Sequence, residues 1–210
     1  PCTTYDGDGT QTYAFNNWTF TNQYYTGACI VFNNDNAGSN MQSHSGEQFG
    51  AMFNPGSSSI RADDWFILPE LTIQSGGYFR FWCREITDQY GAETINVGVY
   101  GGNGTFSSTI ASNVSVNSTT WTQKSYSLSA YAGQTIRLAI QCTSLDIFGV
   151  MIDDITVDGT LFLGGTSIAN VSSPYTISGL SSGTTYYVQV QSNCGGSTSG
   201  WSNPINFTTP

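Results

Sequence analysis

Gly77-Tyr78-Phe79-Arg80-Phe81-Trp82-Cys83-Arg84 alternates without a break, placing Phe79, Phe81 and Cys83 on one face of an extended chain and Arg80, Trp82 and Arg84 on the other. A period of two predicts a half-buried strand with its phenylalanines inward. Ile95, Val97 and Val99 repeat the pattern, as do Ile136, Leu138, Ile140 and Cys142, and a further strand is expected from Val150 to Val157 before Asp158-Gly159 turns the chain. Upstream, the polar opening Thr4-Tyr5-Asp6-Gly7-Asp8-Gly9 leads into a strand-like Thr12-Tyr13-Ala14-Phe15. From Trp18 to Asn54, aromatic fragments alternate with Asn, Gly and Ser clusters, which reads as loop-heavy. Every strong signal has period two and helical heptads are absent. The expected fold is therefore all-β and antiparallel, with two sheets each burying one face against the other.

Composition narrows the function. Aromatics make up 14% of the 210 residues and charged side chains only 9%, with a formal net charge of −9 from 14 acids against five Lys and Arg. Such a surface repels phosphate backbones and anionic lipid, so nucleic acid is not an expected partner, while divalent cations and neutral glycans are compatible with it. No stretch approaches the ~20 apolar residues of a membrane span, so no membrane insertion is expected. The opening at Pro1-Cys2 fits a chain whose leader has been removed. Five cysteines, Cys2, Cys29, Cys83, Cys142 and Cys194, show no C-x-x-C spacing. Scattered cysteines and scarce lysine point to an extracellular, secreted or cell-surface setting. N-x-S/T sequons occur six times, at Asn17, Asn103, Asn113, Asn117, Asn170 and Asn206, and mark expected glycosylation sites if the host uses them. Asn103, Asn113 and Asn117 are expected in a loop-like region between strands.

Five motifs occur in order: Ala62-Asp63-Asp64-Trp65-Phe66-Ile67-Leu68-Pro69-Glu70-Leu71, Phe79-Arg80-Phe81-Trp82, Trp121-Thr122-Gln123-Lys124, Leu128 to Thr135, and Met151-Ile152-Asp153-Asp154-Ile155-Thr156-Val157. In that order they resemble the cleaved-adhesin domains of secreted bacterial proteases, which are themselves similar to MAM-type jelly rolls. The resemblance covers about residues 12–158. It implies a jelly-roll sandwich that binds rather than catalyses. It also implies a structural calcium, anchored by Asp153 or Asp154 with Asp63. Where the family places a glutamate ligand this chain has Asn16, and the turn Asp6-Gly7-Asp8 adds further hard oxygens. Because successive strand side chains point to opposite faces, only one member of each Asp pair is expected at a common site.

Residues 175–209 resemble the second half of a fibronectin type III module: Leu180, Gly183, Thr184 and Tyr186 sit at the spacing of its tyrosine corner, followed by strands around Val188 and Ile205-Asn206-Phe207. The chain thus divides into an N-terminal segment 1–15, an adhesin-type jelly roll 16–158, and a fibronectin-like half-module 159–210. A half-sandwich exposes an apolar face and an unpaired edge. Residues 1–15 of another copy are the expected donor strand, giving a head-to-tail filament as the leading reading. The alternative is a calcium-dependent adhesin or carbohydrate-binding module. In proteins with such a module the cysteine equivalent to Cys194 resembles one that pairs just beyond the closing strand, so Cys2 is its expected partner, within the chain or in the next copy.

Other candidates are weaker. Cys83 and Cys142 both face inward, where they either bridge or remain buried thiols. Tyr24 and Tyr25 lie in a polar loop and are expected to stack on sugar rings, whereas Trp121 and Trp201 are expected to fill core. His44, in Gln42-Ser43-His44-Ser45-Gly46, lacks the glycines of a nucleophile elbow and reads as a loop histidine. Glu47, Glu70, Glu85 and Glu93 supply no evident pair at the ~5–9 Å that glycoside cleavage needs, so no enzyme is expected.

Overall fold

The computed structural model describes residues 1–11, 20, 22–36, 41–158, 160–161, 166–193, 202 and 205–210. Asn16, Asn17, Cys194 and Trp201, together with the expected strand Thr12–Phe15, lie outside them. The described strands are β1 (Thr3–Asp6), β2 (Ile30–Asn33), β3 (Gln48–Phe53), β4 (Asp64–Ile73), β5 (Tyr78–Glu85), β6 (Glu93–Gly102), β7 (Thr105–Val116), β8 (Thr122–Ser127), β9 (Thr135–Cys142), β10 (Gly149–Val157), β11 (Thr160–Leu161), β12 (Thr185–Val188) and β13 (Ile205–Thr208). The molecule is an all-β antiparallel sandwich. One sheet runs β1-β4-β9-β6-β7, with β11 added on β4; a second runs β2-β3-β10-β5-β8; β12 and β13 form a separate pair.

The chain divides into two compact units. The first comprises Pro1–Glu70, Phe79–Tyr126 and Ile136–Thr156. Its interior is lined, as alternation requires, by Phe79, Phe81 and Cys83 on β5 and by Ile95, Val97, Leu138, Ile140 and Cys142 on the other sheet, all fully buried. Each large apolar side chain so removed from water contributes about 1.5–3 kcal/mol. The second sheet also buries half of its opposite face. Its register pairs Met52 with Val150 and Ala51 with Met151. Ala51 and Met151 join Ile30, Phe32, Met41, Phe49, Phe53 and Ile86 in a second apolar cluster. On that same face, β5 carries the half-buried Arg80, Trp82 and Arg84, and β8 carries the exposed Gln123 and Ser125.

Two expectations change here. Part of the segment read as a donor strand is paired within its own chain: β1 is antiparallel to β4, with Thr3 opposite Ile67 and Asp6 opposite Asp64, while Thr12–Phe15 of that segment lie outside the described residues. Its backbone groups are satisfied at the edge that β4 would otherwise expose. The region carrying Asn103, Asn113 and Asn117 is the β6–β7 hairpin and its exit: Asn103 is in the connecting turn and Asn117 follows β7, as the loop-like reading expected, whereas Asn113 lies within β7. Asn103 and Gly104, at φ +50° and +65°, make the tight turn between β6 and β7. The β6–β7 register shifts around Val97 and Ala111, and Asn113 takes φ +52°. These bulges break the alternation of a Ser- and Thr-rich edge strand.

The second unit comprises Leu71–Tyr78, Ser127–Thr135 and Val157–Pro210. Within it β11 pairs with the end of β4, Thr160 opposite Ile73. The strands expected around Val188 and Phe207 form an antiparallel pair, Tyr186 opposite Phe207. Their rings stack at 6.0 Å. The Tyr186 hydroxyl accepts the Ser181 N–H at 2.8 Å, the bond by which a tyrosine corner closes.

Candidate functional site

Trp82 stands in the middle of β5 on the sheet face away from the sandwich interior. The imidazole of His44 lies flat against its indole, ring centroids 3.9 Å apart and planes at 16°. Trp121, just before β8, meets His44 edge-on at 6.0 Å and donates its indole N–H to the Gln42 carbonyl at 3.1 Å. Trp121 is half-buried, packed at the edge of the second apolar cluster, so the core-filling expectation holds in part. Asp153 and Asp154 on β10 complete the cluster. Asp154 adopts φ +45°, a left-handed conformation costing of order 1 kcal/mol for a non-glycine residue. That reversal overturns the expected one-in, one-out alternation and brings both carboxylates to residues 44–45. Asp153 accepts the His44 N–H at 2.8 Å and the Ser45 N–H at 3.3 Å. Asp154 meets His44 Nδ1 at 2.6 Å and accepts the Ser45 hydroxyl at 2.6 Å. Desolvation pushes the Asp154 carboxyl up, but the hydrogen bonds from His44 and Ser45 and the His44 charge outweigh it and hold it below the ordinary carboxylate range. Serine, histidine and aspartate meet here without the wiring of a triad, because the serine donates to the aspartate and not to the histidine.

A second cluster forms where β1 meets β4. Carboxylate oxygens of Asp6, Asp8 and Asp64 all lie within 4.8 Å of one another. The turn after β1 shapes it: Asp6 accepts the Gly9 N–H at 2.6 Å, and Asp8 accepts the N–H groups of Thr10 at 2.9 Å and of Asp63 at 2.8 Å. Gly7 is required, since a Cβ there would sit 1.9 Å from Asp63 Oδ2. Asp64 is 5% exposed, and among the described residues its carboxylate accepts no hydrogen bond. Burial, followed by the charges of Asp8, Asp6 and Asp63, pushes its pKa up to about 9. A buried carboxylate facing two others is a donor set of hard oxygens that fits calcium. Of the expected set, Asp153, Asp154 and Asp63 are not gathered among the described residues, and Asn16 lies outside them. Asp153 and Asp154 hold residues 44–45, and Asp63 accepts from Trp65 Nε1 at 2.6 Å and Gln141 at 2.7 Å. The neighbour Asp64, at a buried strand position, is the member of the Asp63-Asp64 pair that lies with Asp6 and Asp8.

Glu85 and Glu93 are buried in the sandwich, 2% and 0% exposed, out of reach of an external substrate. Glu93 is a structural acceptor. It receives the N–H groups of Phe148, at 2.9 Å, and of Gly149, and the Asn54 amide at 3.2 Å. Burial pushes its pKa up against those donors. Glu85 Oε2 has no partner, and burial pushes Glu85 up too. Cys83 and Cys142 are buried free thiols, Cys83 pushed up to about 11 by desolvation, and Cys2 is an exposed free thiol. Tyr24 and Tyr25 are on the surface, 56% and 40% exposed. Asn103, Asn113, Asn117, Asn170 and Asn206 are all exposed. No helix among the described residues is long and apolar enough to cross a membrane.

No protein-family model matches the chain, and no curated protein does. Among solved structures it is similar to the K2 cleaved adhesin domain of Lys-gingipain, at TM-score 0.49 and 14% identity over 73% of this chain and 87% of that one. The K1 cleaved adhesin domain of Lys-gingipain from Porphyromonas gingivalis W83 gives TM-score 0.46 and 14% identity, covering 75% and 97%. The carbohydrate-binding module TmCBM61, solved in complex with beta-1,4-galactotriose, gives 0.47 and 15%, covering 75% and 87%. The likeness to these domains is one of β-sandwich architecture.

Proposed function

We infer that the chain is an extracellular, non-catalytic adhesion module that binds glycan on the Trp82 half of the outer face of its second sheet. The observation that carries this reading is Trp82, an indole held mid-strand on a sheet face and flanked by Trp121, Asp153 and Asp154. An aromatic plane beside fixed acceptors suits a sugar, whose ring offers an apolar C–H face and a rim of hydroxyl donors. The acidic surface and the exposed sequon asparagines agree with an extracellular setting. Binding of the full chain to an array of neutral galacto-, xylo-, cello- and manno-oligosaccharides tests it. Trp82→Ala should lower the signal at least tenfold with the thermal midpoint within a few degrees of the parent; unchanged binding sinks the assignment.

Calcium belongs to the same reading as a structural ion. Asp6, Asp8 and Asp64 would hold it, tying the turn after β1 to β4, and the ion would supply the positive charge that this buried carboxylate otherwise lacks. Self-association is a second reading, favoured by the exposed Tyr187, Val190, Ile205 and Phe207 of the second unit. Thr3–Asp6 of the segment 1–15 pair with β4 of their own chain and are not the donor in this reading.

A further inference from the structure

We propose that residues 42–48 form a strap that keeps the aromatic site closed, His44 taking the face of Trp82 on which a sugar ring would lie; this rests on the glycan reading of that face. The strap runs between two buried anchors, Met41 and Phe49, 1% and 3% exposed, while residues 44–48 are exposed. Its base is framed by Asn34, whose side chain donates to the Ser43 hydroxyl at 2.8 Å and accepts the Ser43 N–H at 2.9 Å. Its tip buries no large apolar side chain. Its return into β3 is fixed by backbone pairing, the Glu47 carbonyl accepting the Asn34 N–H at 2.9 Å and Gln48 lying opposite Asn33. What holds the tip, residues 42–46, over Trp82 is the stack on its indole, the bonds of His44 and Ser45 to Asp153 and Asp154, and the Trp121 bond to the Gln42 carbonyl. All of these are solvent-accessible contacts of the kind that open locally without unfolding a domain.

The latch has a specific backbone cost. Asp154 reverses to φ +45° inside a strand, and the reversal is what turns both carboxylates toward the strap. A strained residue whose side chain closes a loop over an aromatic plane is a conformational device rather than ordinary strand geometry. Opening uncovers the indole and releases the two carboxylates from His44 and Ser45. They are then free to accept hydroxyl hydrogens from the sugar that replaces the imidazole. A neutral oligosaccharide with adjacent hydroxyls fits, whereas a uronic or sialic acid would meet the two aspartates.

Two readouts on the full chain test the strap. Oxidation of Trp82 by N-bromosuccinimide, followed by peptide mass spectrometry, reports whether the indole is covered without any ligand. His44→Ala should speed it several-fold, and Asp154→Asn, which tolerates the left-handed backbone, should speed it less. On the oligosaccharide array His44→Ala should bind about tenfold more tightly, the gain expected when a site that is about 90% closed is set open. If His44→Ala leaves oxidation and affinity unchanged, or weakens binding, while Trp82→Ala abolishes it, the strap is overturned and the glycan site stands. If neither substitution alters binding, the glycan reading falls and the strap falls with it.

Discussion

Asp64 is the residue through which the proposed calcium would act on the stability of the fold. In the unfolded chain its carboxyl loses its proton near the ordinary value, but the folded protein keeps it until about pH 9. Between those values the folded state binds the extra proton, so stability of the calcium-free protein falls as pH rises, by up to about 1.4 kcal/mol per unit from this group. Thermal melts in chelator from pH 5 to pH 8 should show that decline. Added calcium should reverse it at pH 8, by about 2.7 kcal/mol when the ion is at a hundred times its dissociation constant. Asp64→Asn should raise the melting temperature in chelator and remove the calcium increment. A variant that melts like the parent with and without calcium would exclude this carboxylate as a ligand. Asp63 and Asp64 were equally eligible in sequence; only the paired register of β1 and β4, which buries Asp64 beside Asp6 and Asp8, separates them.

At the scale of elements, Glu93 ties the start of β6 to the start of β10. It accepts the N–H groups of Phe148 and Gly149 together with the Asn54 amide, all where water is excluded. Glu93→Ala leaves those donors unpaired and opens a cavity, and should cost about 3–5 kcal/mol by urea denaturation. Glu93→Gln keeps an acceptor oxygen and should cost clearly less; equal losses would show that volume, not acceptance, is what the position supplies. β5, β9 and β10 were legible because one face of each is apolar at period two. β7 was not. It is a Ser- and Thr-rich edge strand whose extra residues on either side of Ala111, where its register against β6 shifts, break the period.

For the whole molecule, the open question is association. The second unit exposes Ile205 at 69%, Val190 at 67% and Tyr187 at 58% on a sheet of only two strands, and such a pair is marginal in water unless further surface covers it. Sedimentation velocity of the full chain over a hundredfold range of concentration should show reversible growth in size, diminished by Ile205→Lys. A constant monomer at every concentration removes the self-association reading and leaves the glycan-binding module alone.

Alternation along Tyr78–Glu85, in Ile95, Val97 and Val99, and along Thr135–Cys142 by itself pointed to the all-β antiparallel sandwich, because side chains on a strand alternate regardless of what the strand packs against. It also set Trp82 on the face opposite Phe81, which was the available signal for the site. Tertiary structure alone decided the rest. The pairing of β1 with β4 withdrew Thr3–Asp6 from the expected donor strand and assembled Asp6, Asp8 and Asp64. The left-handed turn at Asp154 aimed two adjacent aspartates at His44, a residue more than a hundred positions away. The physical reason is that a local pattern fixes which way a side chain points, whereas long-range register and a single backbone reversal fix what it meets.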